Sequence, residues 1–304
     1  MLEEYCLKIH GHSCLEIRAN KTAILFDPWL NGSAYWRSWW NFPEAAPLEE
    51  IIKSLSDCKQ TYIYITHLHW DHFHGPTLRK LYKNIPNLKF LISRVPEKRL
   101  KNDLFEVLNK KISIVEINHA FKYEINPNLS VKPFLSGPIL TDSAVLIQNK
   151  NDFILNLNDS KPLPFMMNQI ISSIGNGNLK VMLRSHSSAN SRICIRNRDG
   201  SKKKNNDKNK DSYSREFLQA VSFLKPNISI PFASNMCYLH KDSMQYNKHS
   251  NTSDQVYQYY LSSKKSEENR VELILPREIL DLNNLKIPLI KVREINYFLP
   301  EIKS

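Results

Sequence analysis

Glycine is scarce in this chain, with 7 in 304 residues. That leaves little material for a phosphate-cradling loop, and neither G-x-G-x-x-G nor G-x-x-x-x-G-K-[ST] occurs. No apolar run approaches the ~20 residues of a membrane-spanning helix, so no membrane partner is expected. The opening "MLEEYCLKIHGH" places acidic residues early and lacks the basic-then-apolar layout of a secretory signal. A cytoplasmic protein is the expectation. The five cysteines (Cys6, Cys14, Cys58, Cys194, Cys237) are scattered and form no CxxC pair. They argue against a disulfide framework and read as small buried hydrophobes. Cys237 and His240 are spaced as in one half of a Rieske iron–sulfur signature. The C-x-H half is missing upstream, which excludes such a cluster within this sequence.

The net charge is +12, which taken alone suggests an anionic partner. Residues 192–210, "RICIRNRDGSKKKNNDKNK", carry eight Lys or Arg against two Asp. Half of the excess therefore sits in one polar segment of the kind that forms a solvated insert. No aromatic residue interleaves with these charges, so a base-stacking platform is not indicated and a nucleic-acid partner is not expected.

Short apolar or alternating runs split by polar turns predict strands at "EYCLKIHG", "SCLEIRA", "KTAILFD" and "TYIYIT". Helices are predicted at "GPTLRKLYKNI", with Pro76 just inside its start, and at "VPEKRLKNDLFEVLNKK". A run of hairpin-like strands follows, from "ISIVEIN" to "DFILNLND". Further helices are predicted near 163–175, at "SREFLQAVSFLK" and near 252–264, with strands at "LKVMLRS" and "NISIPFA". Strands lead each half and helices follow, which suits two sheets face to face with helices outside. No firm domain boundary is visible. One domain over 1–304, interrupted by a basic insert at 187–212, is the expectation.

Among these elements, "YIYITHLHWDHFHG" (62–75) gathers His67, His69, Asp71, His72 and His74. A buried strand delivers His67 to its end. If the chain stays extended briefly, His67 and His69 point the same way, because strand periodicity is two. Asp71 and His72 are neighbours and cannot both face the same cation in an extended chain, but at a strand-to-helix turn they can face a second one. Imidazole and carboxylate ligands suit zinc, and also iron or manganese. An ion with an open position lowers the pKa of bound water to about 7. His74 falls outside the pattern.

"HLHWDH" resembles the signature of the metallo-β-lactamase superfamily. The resemblance implies an α/β fold, a four-layer αββα sandwich, with one or two metal ions at the sheet edge. "IHGHSCLEI" and "TAILFDPWL" look like the family's opening hairpins, ending in an aspartate near the site, here Asp27, which is expected to orient a ligand imidazole. "ILNLNDS" looks like the strand ending in the bridging aspartate, here Asp159. "ISIPFASNMCYLH" looks like the segment carrying the last metal histidine, here His240. The implied ligands are His67, His69, Asp71, His72, Asp159 and His240, with Asp71 and Asp159 also catalytic. "DPWLNGSAYWRSWWNFPE", "LNLNDSKPLP" and "PFASNMCYLHKDS" resemble, more narrowly, the metallo-β-lactamase-like part of the CMP-N-acetylneuraminate hydroxylase family. The Rieske domain of that family has no ligands here. One departure stands out. The family places a metal histidine in the loop matched by "KPFLSGPILTDSAV", where Gly137 stands instead. Three readings follow: the first ion keeps only His67, His69 and Asp159 with waters, or another residue substitutes, His186 being best placed by sequence, or one site is empty.

Trp29, Trp36, Trp39 and Trp40 crowd one short stretch beside Tyr35. They read either as a packed loop or as a pocket wall, where indole faces stack on a ring and Arg37 pairs with a phosphate or carboxylate. In the second reading Trp36, Arg37, Trp39, Trp40 and His186 touch substrate. The leading functional expectation is a hydrolase using metal-activated water, zinc first, on an ester, lactone or phosphodiester of an anionic or sugar-like small molecule. The alternative is an iron-dependent oxidoreductase fed electrons by a separate partner. A metal-free binding module is the third reading.

Overall fold

The computed structural model describes residues 4–109, 112–137, 141–187, 198–201, 210–263 and 270–287. The first half comprises β1 (Tyr5–Ile9), β2 (Leu15–Ala19), β3 (Thr22–Phe26), β4 (Trp39–Asn41), α1 (Leu48–Ser56), β5 (Gln60–Ile65), α2 (Gly75–Asn84), β6 (Leu88–Ser93), α3 (Arg99–Val107) and β7 (Ser113–Ile117). The second comprises β8 (Tyr123–Glu124), β9 (Leu129–Ser136), β10 (Asp142–Asn149), β11 (Asp152–Asn158), α4 (Pro164–Ile174), β12 (Asn178–Arg184), α5 (Lys210–Leu224), β13 (Ile228–Pro231), β14 (Met236–Tyr238), α6 (Ser253–Ser262), β15 (Arg270–Val271) and β16 (Ile279–Asp281).

Strand periodicity builds the layers. In β5, Tyr62 and Tyr64 face a core shared by both sheets, while Ile63 and Ile65 face the helices α1, α2 and α3. In β11, Ile154 faces the shared core, and Phe153, Leu155 and Leu157 pack toward α4, α5 and α6. Two seven-stranded sheets result, in the orders β16-β1-β2-β3-β5-β6-β7 and β15-β13-β12-β11-β10-β9-β8. Each is antiparallel in one part and parallel in the other, and β3, β5, β11 and β12 are among the strands with parallel partners. This is the expected αββα sandwich. β4 pairs with β14 as a small separate ribbon. Among the described residues, no helix is long and apolar enough to cross a membrane. The basic stretch 192–210 and Cys194 lie almost entirely outside the described residues.

One polar cluster is built into a layer boundary. On β2, Leu15, Ile17 and Ala19 enter the shared core, which turns Glu16 and Arg18 toward α1. Fully buried Glu16 lies 2.8 Å from His10 Nε2 and accepts from Arg18 Nε at 2.9 Å, and Lys8 stands 3.7 Å away. Burial pushes its pKa up, but His10 and the charges of Lys8 and Arg18 outweigh that and hold it at about 2. A carboxylate shifted from 4.5 to about 2 contributes of order 3 kcal/mol. The contribution is complete above pH ~4.5 and is lost as pH falls toward ~2. Glu16→Gln is therefore expected to destabilise the protein by about 3 kcal/mol at pH 7, with the gap closing below pH ~4.5. Urea unfolding of both proteins between pH 7 and pH 3 checks this, and a gap independent of pH contradicts it.

Candidate metal centre

The polar residues gather beyond the carboxyl ends of β3, β5, β11 and β12, the place where open α/β sheets bind ligands. Asp27 directly follows β3 and Asn158 closes β11, both in the left-handed region (φ 43° and 53°). Aspartate and asparagine tolerate that region better than other residues with a side chain, and here it marks the two strand ends that lead into the site.

Asp27, fully buried, is the hub. Its carboxylate accepts from Thr66 N at 2.8 Å, from Thr66 Oγ1 at 2.7 Å and from Asn158 Nδ2, and it lies 3.1 Å from His72 Nδ1. It fixes the end of β5 and holds the His72 ring with Nε2 pointing away, as expected for a carboxylate that orients a ligand imidazole. Beyond Thr66 the chain turns, with His72 N and Phe73 N donating to the His69 carbonyl at 2.9 and 2.7 Å. His67 and His69 lie on one side, Nε2 of the first 2.8 Å from Nδ1 of the second. The His67 and His72 rings are 4.1 Å apart.

Two groups of ligand atoms emerge, each with all its atoms within 4.8 Å of one another: His67, His69, Asp159 and His12, Asp71, His72. They adjoin, because His72 Nε2 lies 3.3 Å from both Asp71 Oδ2 and Asp159 Oδ2. Although fully buried, His72 Nε2 makes a directed hydrogen bond to neither. An unsatisfied buried nitrogen between two carboxylate oxygens costs free energy unless something occupies the point they share. A cation fits that point, and the donor set of imidazole and carboxylate without thiolate suits zinc, iron or manganese. Burial, reinforced by neighbouring His72, holds the His67 pKa well below its ordinary value, leaving the neutral ring a ligand needs. For His72 burial acts downward, yet Asp71, Asp159 and Asp27 raise its pKa well above the ordinary value. Asp71 is correspondingly held far below the carboxylate range by His72 and His12, against the effect of burial. The residues place positive charge on protonated His72 where a cation would sit.

His12 has no role in the sequence reading. It lies in the turn between β1 and β2, where its N–H donates to Asn41 Oδ1 at 2.6 Å. A Cβ on Gly11 would come within 2.7 Å of that oxygen, so this approach requires glycine. The His12 ring packs at 5.4 Å from Trp29 and 6.3 Å from Trp39, presenting Nε2 to Asp71 Oδ2 at 3.1 Å. The Gly-His-Ser triplet directly before a buried strand was the available signal.

His240 is not brought to the cluster. After β14 the chain turns outward, Met244 N donating to the His240 carbonyl at 2.8 Å, and the exposed ring lies 3.6 Å from Asp242. Among the described residues His240 therefore lies in neither candidate group, and His12 stands with Asp71 and His72 where His240 was expected. His186 is buried behind the site, Nε2 at 3.3 Å from Ser253 Oγ, and belongs to neither ligand group. Burial pushes its pKa down to about 3. His74 occupies the residue before α2, its Nδ1 2.8 Å from Thr77 Oγ1.

The aromatic stretch divides. Trp29 and Trp39 are buried with Met236 and Tyr238. Trp39 therefore reaches the site through His12 and through Tyr35, whose ring lies 4.7 Å away. Trp40 donates from Nε1 to the Arg37 carbonyl at 3.2 Å. Tyr35 donates to Asp71 Oδ1 at 2.7 Å. Trp36, 83% exposed, stands over half-exposed Trp70 with ring centroids 4.3 Å apart. Tyr35, Trp36 and Arg37 all have positive φ (49°, 53° and 66°), an unusual local strain beside Asp71.

Residues 6–135 match the Beta-lactamase superfamily domain, and the described residues take the αββα architecture of metallo-β-lactamase-fold structures. Among particular relatives, the cytidine monophosphate-N-acetylneuraminic acid hydroxylase of Danio rerio is 27% identical over 291 residues. That alignment covers 92% of this chain and 46% of the relative, so the chain spans less than half of its length. Among solved structures, CmlA, a diiron β-hydroxylase from Streptomyces venezuelae, superposes with TM-score 0.58 at 18% identity, over 90% of this chain and 54% of CmlA. A possible metal-dependent hydrolase from Veillonella parvula superposes with TM-score 0.60 at 12% identity, over 92% of this chain and 99% of that one. At these identities the two structures establish the fold alone.

Proposed function

We propose that this protein is an iron-dependent oxidoreductase that hydroxylates an anionic, ring-bearing small molecule with electrons from a separate partner. The observation that carries this reading is the composition of the two ligand groups. His67, His69 and Asp159 form one group, and His12, Asp71 and His72 the other. Each is a set of two imidazoles and one carboxylate, the donor combination of non-haem iron oxygenases. The loop histidine that would make the first group richer in nitrogen is absent, with Gly137 in its place. The likeness to a hydroxylase along 92% of the chain supports the same choice.

Iron bound there supplies oxygen activation. The overall change inserts one atom of dioxygen into a C–H bond, while the other leaves as water with two protons and two electrons. The chain's own residues hold and orient. Asp27 fixes the His72 tautomer, and Tyr35 and His12 together hold both oxygens of Asp71. The Trp36–Trp70 pair offers a stacking face beside the ligands, and Arg37 a charge for a phosphate or carboxylate.

Reconstitution with ferrous ion, followed by metal analysis and dioxygen uptake with a chemical reductant, tests the reading. About two iron ions per chain, with product formed mole for mole with dioxygen consumed, are expected. A colourless zinc protein that cleaves esters or phosphodiesters without dioxygen overturns it in favour of the hydrolase. Trp36→Ala is expected to raise KM about 10-fold, the worth of one stacked ring, with metal content unchanged. Steady-state kinetics beside elemental analysis checks this.

A further inference from the structure

Thr66 stands between the hub Asp27 and the first ligand histidine. Its Oγ1 lies 2.7 Å from Asp27 Oδ2, 2.8 Å from Asn158 Nδ2 and 3.0 Å from His67 Nδ1. A hydroxyl donates once and accepts twice, so these three neighbours use its whole capacity. The Asp27 carboxylate can only accept, and the Asn158 amide nitrogen can only donate. The Thr66 proton therefore points to Asp27, and one lone pair takes Asn158. The lone pair that is left can only accept, so His67 donates to it from Nδ1. A neutral imidazole that donates from Nδ1 carries its free electron pair on Nε2. That atom lies 2.8 Å from the His69 ring, its partner in the first ligand group.

The hydroxyl is held in place from several sides. Thr66 is buried, its N–H donates to Asp27 Oδ1 at 2.8 Å, and its carbonyl accepts from Ser143 Oγ at 3.0 Å. Branching at Cβ restricts the remaining rotation. The oxygen that takes the Thr66 proton, Asp27 Oδ2, also lies 3.1 Å from His72 Nδ1. One carboxylate oxygen thus stands directly behind an imidazole of the second ligand group, and one hydroxyl away from an imidazole of the first.

We propose that Thr66 is a positioning residue whose hydroxyl passes the orienting effect of Asp27 on to His67, so that one carboxylate fixes the tautomer of a ligand imidazole in each of the two groups. The positioning role rests on the metal-dependent reading of the site, whereas the order of the hydrogen bonds does not.

The test begins with full-length, metal-free protein labelled with nitrogen-15. Long-range proton–nitrogen correlation spectra show which ring nitrogen carries the proton, with His67→Gln identifying the His67 signals. The wild type is expected to carry it on Nδ1 with Nε2 bare, and a proton on Nε2 overturns the proposal without any variant of Thr66. Ferrous and zinc ions are then titrated separately, with affinity read by chelator competition. Thr66→Val removes the hydroxyl at nearly constant shape. It is expected to lose the single His67 tautomer and to bind one of the two ions about 10-fold more weakly, with the other retained. Thr66→Ser keeps the hydroxyl and is expected to match the wild type in both respects. A Thr66→Val protein that keeps the Nδ1 tautomer, or binds both ions as the wild type does, shows that packing alone sets the ring, and the proposal fails while the metal centre stands. Thr66→Ser behaving like Thr66→Val assigns the effect to the lost methyl group and overturns it as well. A wild type that binds neither ion overturns the metal-dependent reading, and the positioning role falls with it.

Discussion

Asp159→Ala is expected to remove the ion held with His67 and His69, to weaken the other, and to lower turnover by about 10³-fold or more, the equivalent of roughly 4 kcal/mol. The size follows from position. Asp159 belongs to the ligand group of His67 and His69, and its Oδ2 lies 3.3 Å from His72 Nε2 in the neighbouring group. Removing it leaves His67 and His69 with two protein ligands, below the three a catalytic site needs. It also takes away one of the two oxygens flanking His72. Asp159 is partly exposed, so the fold is expected to survive. Elemental analysis beside thermal melting checks both halves, and retention of two ions in the variant contradicts the assignment.

Asp27→Ala is expected to destabilise the protein by about 3–5 kcal/mol, through donors left without acceptors. The Asp27 carboxylate takes bonds from Thr66 N, Thr66 Oγ1 and Asn158 Nδ2 at a site with no solvent access. Each unmet donor costs about 1–3 kcal/mol, with partial relaxation expected. Asp27→Asn separates packing from charge. It keeps the shape and one acceptor oxygen but cannot orient His72 as a carboxylate does. A smaller loss of stability is expected for it, with metal affinity reduced by about 10–100-fold. Denaturant unfolding and metal titration of both variants measure the two effects. Asp27→Ala unfolding like the wild type would show that the hub is not structural.

The legible parts of this protein were those whose signal is local. The alternation in β5 and β11 set the two sheets, and "HLHWDH" compressed four ligand-type residues into one turn. Asp27 and Asp159 became legible through family likeness, since nothing in either segment alone marks it as a site. The helix α1 is not anticipated, although Leu48, Ile51 and Leu55 recur at helical spacing and are buried. It follows an aromatic, proline-containing stretch that reads as a loop. β16 is likewise missed because it is three residues long and gains its place by pairing with β1.

His12 was illegible for a different reason. Its partner Asp71 lies 59 residues away, and the contact exists only once β1, β2 and β5 share a sheet and Asn41 seats the turn. His240 looked equally suitable in sequence, and chain direction after β14 decided against it.

Metal content of His12→Ala set against that of His240→Ala tests the centre most directly. Two ions per chain in the wild type and in His240→Ala, with no more than one in His12→Ala, is the predicted result. Full occupancy in His12→Ala, or a lost ion in His240→Ala, would contradict the grouping of His12 with Asp71 and His72.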